Sequence, residues 1–125
     1  MKYLLMVYGD ETAVKAANKA ETEQVIGAYR AYIDAATKAG VLLGTNRLQF
    51  TSTATTVRVV DGKTQVLDGP YAETKEQLGG YLLIDVPDLD TALSWAARCP
   101  GASSGVVEVR PIWEMQAATQ QYAAE

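Results

Sequence analysis

Histidine is absent from all 125 residues of the chain. That absence removes the side chain most often used as a general base or transition-metal ligand, and it excludes every histidine-containing triad. Chemistry here would have to run on carboxylates, Lys, Tyr, Arg or Ser/Thr. Cysteine occurs once, at Cys99, so no internal disulfide can form, which fits a reducing cytoplasm. Cys99 reads as a packed residue near a helix end. No run of Lys and Arg exists, and the net charge of −4 argues against nucleic acid or an anionic membrane as partner. Long apolar runs are also missing. The opening stretch Tyr3–Tyr8 is cut off by Asp10 and Glu11, too short for a signal peptide or a membrane span. No ligand-spaced Asp/Asn cluster appears, so neither a metal nor a cofactor is expected.

What is present suits one globular domain over residues 1–125, with 48% apolar and 21% charged residues. "KYLLMVY" (2–8) is apolar on both alternating sets and reads as a strand covered on both faces. Residues 11–20 read as a loop or a frayed helical turn. From Glu21 to Ala39 the spacing becomes helical, with Val25, Ile26, Tyr29, Ile33 and Ala36 in one stripe and Gly40 placed for the C-terminal cap. "VLLGTNRLQF" (41–50) reads as a strand interrupted by a turn at Gly44–Asn46. Asp61-Gly62 predicts a tight hairpin turn inside 55–69. "GGYLLIDV" (79–86) is another two-faced strand. Asp88 is placed to cap a second helix, whose expected buried stripe is Leu89, Ala92, Leu93, Ala96 and Ala97. The last strand is 105–113, and 114–125 forms a helical or flexible tail. The order is α+β, a ferredoxin-like βαββαβ arrangement with an inserted β-hairpin. Two helices cover only one face of such a sheet, so the second face of the apolar strands calls for another copy of the chain, a homodimer.

The segment 68–81, "DGPYAETKEQLGGY", carries more chemistry than a connecting loop needs. Gly69 escapes the clash that restricts a residue before proline, and Pro70 fixes the direction in which Tyr71 is presented. Thr74 and Gln77 have capping-box spacing, which predicts one helical turn over Lys75–Leu78. Alternatively, the segment is a rigid surface turn with solvated charges.

At these residues the chain resembles the YCII-related family, in the branch with an Asp-Gly-Pro-Phe signature. The matching stretches are "DGPY" (68–71), "AETKEQLGGY" (72–81), "VEVRP" (107–111), "KYLLMVYGDE", "TTVR" (55–58) and "DLDTALSWAARCP" (88–100). Tyr71 stands where that signature has Phe. The resemblance implies a protomer of the dimeric α+β barrel type. It also implies either an enzyme of small, often aromatic or halogenated compounds, or an accessory or regulatory module linked to sigma-factor systems. The His–Asp pair proposed for such enzymes has no counterpart in a chain without histidine.

Several residues are candidates for a site in a cleft near the DGPY–ETKE segment. Asp68, Lys75 and Glu76 are the catalytic candidates, Asp68 as a general base or alternatively as a turn cap. Tyr8, Arg58, Tyr71, Lys75, Tyr81 and Arg110 are the ligand-binding candidates, for a small anionic or aromatic molecule. Glu108 and Arg110 lie two apart on a strand and share a face. They pair with each other or with Glu73, Lys75 or Glu76. If the motif is tied to the last strand through charge, Arg110 is held by Glu73 or Glu76.

Overall fold

The computed structural model describes residues 1–114, so the expected 114–125 tail lies, but for Glu114, outside the described residues. Strands β1 (Lys2–Gly9), β2 (Leu42–Arg47), β5 (Gln77–Asp85) and β6 (Val106–Pro111) form one antiparallel sheet in the order β2-β5-β1-β6. Strands β3 (Thr55–Val60) and β4 (Lys63–Asp68) form a separate two-stranded arm. Helices α2 (Lys19–Lys38) and α3 (Leu89–Arg98) pack on one face of the large sheet; α1 (Glu11–Ala16) and α4 (Gly101–Ser104) are short connectors. The βαββαβ order with an inserted hairpin is thus the observed one.

Alternation along the central strands sets the two faces. Tyr3 and Leu5 of β1 lie opposite Ile84 and Leu82 of β5, and all four are at most 3% exposed. They meet Tyr32 and Ala36 of α2 and Ala92, Trp95, Ala96 and Cys99 from α3 and its end. The other set, Leu4, Met6, Tyr8, Tyr81 and Leu83, is half-buried and carries no helix among the described residues. We call it the open face.

Several local expectations are corrected. Of the two readings of 11–20 the helical one holds for 11–16, where the Asp10 side chain accepts from the Thr12 amide, while α2 begins earlier than expected, at Lys19, because Asn18 accepts from the Glu21 amide. In α2 the apolar stripe packs only at its C-terminal half. Tyr32 is buried, whereas Val25 and Ile26 are 54% and 42% exposed. In α3 the buried set is Ala92, Trp95 and Ala96, while Leu89, Leu93 and Ala97 are exposed. Trp95 turns the helix: its bulk fills the core, Tyr32 donates to its carbonyl at 2.7 Å, and the Arg98 guanidinium covers its ring at 4.1 Å. No turn interrupts β2; a register shift between Leu42 and Gly44 absorbs one extra residue as a bulge. The capping-box helix does not form either. The Thr74 hydroxyl and the Gln77 amide bond to local carbonyls, and β5 begins at Gln77.

Other signals hold. Gly40 has φ 72°, Asp88 accepts from the Thr91 amide at 2.8 Å, and Asp61 and Gly62 turn the arm with φ 51° and 75°.

Candidate functional site

The open face can be read in rows from the register. One row runs Asn46–Tyr81–Met6–Glu108, the next Gly44–Leu83–Leu4–Arg110. Tyr8 lies beyond Met6, opposite Val106 on one side and Leu78 on the other, where β5 bulges. The face is therefore aliphatic and aromatic at its centre and polar at its edges. The Asn46 amide donates to the Tyr81 hydroxyl at 2.8 Å, which leaves the Tyr81 proton free for another acceptor.

Glu108 and Arg110 do share this face, and they pair with each other at 2.6 Å. The expected link from Arg110 to Glu73 or Glu76 is overturned, and the topology explains why. Arg110 lies opposite Leu4, whereas the 68–77 segment joins β5 at Gln77, opposite Gly9. With β1 between β5 and β6, that is about 10 Å across the sheet and about 16 Å along it. Both partners of the pair are largely exposed, 70% and 43%, so the guanidinium needs no distant carboxylate.

The motif instead fastens the base of the arm. Asp68 ends β4 opposite Thr55. Gly69, at φ 106°, donates from its amide to the Ala54 carbonyl at 2.7 Å and accepts from the Thr56 hydroxyl at 2.8 Å. Tyr71, 79% exposed, receives the Arg58 guanidinium over its ring at 5.7 Å. Arg58 and Tyr71 are thus brought together at the arm. Tyr8 and Tyr81 are together on the open face, and Arg110 stands at that face's other end. Asp68 and Lys75 are exposed and Glu76 is half-buried; among the described residues none of their side chains is paired.

Three residues that the sequence reading passed over hold this end of the sheet. The Glu11 carboxylate accepts from the Thr51 amide and hydroxyl, both at 2.7 Å, and the Glu11 amide donates to the Gln77 side chain at 3.0 Å. Asn46 orients Tyr81. The sequence signal for Glu11 was its place in the first turn after a capping Asp, but its partner sits forty residues on. Beside this clamp is a shallow depression of about 350 Å³ lined by Arg47, Leu48, Gln49, Phe50 and Thr53, with the Lys15 ammonium 4.8 Å from the Phe50 ring. It contains none of the candidate residues. Among the described residues no group of three or more His, Cys, Asp or Glu is arranged to hold a metal ion. No helix of the described residues is long and apolar enough to cross a membrane.

Buried tyrosines line the other side of the sheet. Burial foremost, and Cys99 next, push the Tyr32 phenol up to about 12; the nearby Arg98 opposes them. The Tyr29 phenol is raised as well, chiefly by burial and by Cys99, whose thiol lies 3.8 Å away. These groups are packing residues and do not reach the open face.

The model of the YCII-related domain matches residues 1–116. An uncharacterized protein of Rhizobium meliloti (strain 1021) is 43% identical over 114 residues, covering 90% of this chain and 92% of that one. Among solved structures, 5-chloro-2-hydroxyhydroquinone dehydrochlorinase from Burkholderia phenoliruptrix AC1100, in complex with 2,5-dihydroxybenzoquinone, is similar with a TM-score of 0.56. It is 12% identical, over 93% of this chain and 97% of that one, so the likeness is one of fold.

Proposed function

The chain belongs to the YCII-related domain family, and on that footing we propose that it is a homodimer binding a small aromatic or anionic molecule against the open face of its sheet. The observation that carries this reading is the open face itself. Leu4, Met6, Tyr8, Tyr81 and Leu83 form a continuous half-buried apolar surface with no element of the described residues above it. Such a face in water is costly, and a second copy covers it symmetrically. Glu108 and Arg110 place both signs of charge on the same patch, which suits a self-complementary contact about a twofold axis.

The ligand class follows from what lines the face. Flat rings suit Tyr8, Tyr81 and Leu83, and the free Tyr81 proton suits an oxygen on such a ring. A ring-binding neighbour of the same fold supports this choice. Asp68, Lys75 and Glu76, on the segment that feeds β5, are the groups able to move protons at the rim. The exposed and unpaired Glu73 and Lys75 favour a second reading, an accessory module that docks on another protein through this segment.

Sedimentation at micromolar concentration combined with titration by 2,5-dihydroxybenzoquinone separates the readings. The expected result is a dimer with saturable binding, weakened about tenfold by Tyr81→Phe, the worth of one hydrogen bond. A dimer that ignores ring compounds favours the accessory module. A monomer defeats the dimeric reading.

A further inference from the structure

Among the described residues the β3–β4 arm packs on nothing beyond its base. Of its twelve strand residues only Thr56 is even half-buried. Among the described residues its extensive contacts are with itself alone. The register puts Val57, Val59 and Val66 on one side of the ribbon, and they are 61%, 64% and 59% exposed. An isolated two-stranded ribbon is marginal in water, and a β-branched apolar side facing solvent makes it more so. Its base, by contrast, is firmly built: Glu11 holds Thr51, and Gly69 is bonded to Ala54 and Thr56.

We infer that the arm is an exchanged element: the valine side of each arm lies on the other protomer and extends the sheet-to-sheet contact past the rim of the sheet. This rests on the dimeric reading above and deepens it. Area supports the occupant. Four strands about 4.8 Å apart and about six residues long give the open face a footprint of about 400 Å². A stable interface covers about 800 Å² on each partner. One side of the arm adds about 200 Å², and the ground covered by the partner's arm adds as much again. Sheet and exchanged arms together reach the size that the sheet alone misses. Charge supports it too. Arg58 and Lys63 balance Asp61 and Asp68, so the arm is neutral and meets no net repulsion from a partner of net charge −4.

The test is a Val57→Ser/Val59→Ser/Val66→Ser triple variant in the full chain, compared with wild type by sedimentation, urea unfolding and amide hydrogen exchange. The expected result is a folded protein whose dimer dissociation constant rises at least a hundredfold. In wild type, amides of β3 and β4 should exchange slowly at high protein concentration and at least tenfold faster on dilution to monomer. A variant that dimerises as wild type does overturns the exchange and leaves the dimeric reading standing. Wild type that is monomeric at every concentration overturns both. A variant that fails to fold places the arm on its own body, and that too overturns the exchange.

Discussion

The four-stranded body and the two-stranded arm are both antiparallel β-structure rich in β-branched and aliphatic residues, yet water treats them oppositely. In the body, Leu5 and Ile84 are 0% and 1% exposed under two helices. In the arm, Val59 and Leu67 are 64% and 66% exposed, with none of the described elements above either side. Both are paired along their strands, the body broken only at its bulges, so ladder formation is not what separates them. The difference is a second layer. Burial against another element supplies most of the stability of a sheet, and the arm has only its turn and its own cross-strand pairs.

That contrast can be broken by substitution, and the expected effects fall in a clear order. Leu5→Ala should cost the most, about 3–4 kcal/mol of unfolding free energy in urea, because its site is fully enclosed and can collapse little. Gly105→Ala should follow at about 2–3 kcal/mol: an added Cβ would clash with the Tyr8 carbonyl oxygen, and β1 must shift to admit it. Urea unfolding of each variant checks both, and a loss below about 1 kcal/mol in either would mean the body is far looser than its packing shows.

Tyr32→Phe removes one buried hydrogen bond to the Trp95 carbonyl and should cost about 1 kcal/mol at pH 7. Its pH signature is sharper. The folded phenol is held neutral, with a value raised to about 12 from 10.0. Its contribution is therefore complete below pH 10 and is lost as the pH climbs from 10 toward 12. Thermal melts across that interval should fall less steeply for Tyr32→Phe than for wild type, and an unchanged slope would remove Tyr32 from the alkaline transition. Arg110→Met should change stability by less than about 1 kcal/mol, since its pair with Glu108 is exposed. Smallest of all, Val57→Ser should leave the unfolding free energy of the monomer within about 0.5 kcal/mol of wild type. A larger loss, read by urea unfolding at dilute protein, would show that the arm leans on its own body after all.

Legibility in the sequence divided along the same line. Alternation in 2–8 and 79–86 announced two-faced strands because a residue's side of a sheet is fixed by parity alone. Asp61-Gly62, Gly40 and Asp88 announced a turn and two helix ends because each acts on its immediate neighbours. What failed needed distance. The stripe chosen for α3 treated Leu89 and Leu93 as core, whereas the partner that decides the rotation is Tyr32, on another helix. The link proposed for Arg110 required knowing that β1 would lie between β5 and β6 and set the residue opposite Leu4. Thr74 and Gln77 carry the letters of a capping box, yet pairing with β1 drew Gln77 into a strand. For the site, Tyr8 and Tyr81 on one face and Arg58 beside Tyr71 are placements the pattern could suggest. The Glu11–Thr51 clamp had no pattern to betray it.

Cys99 lies 1% exposed beneath the end of α3, with its thiol against the Tyr29 hydroxyl. As the chain's one thiol, it gives the protein an internal stopwatch. A thiol reagent can reach it only through an opening of the helices over the sheet, so in excess reagent the labelling rate counts those openings. Motions of the arm leave the sulfur sealed and go uncounted. One absorbance trace thus times the body alone.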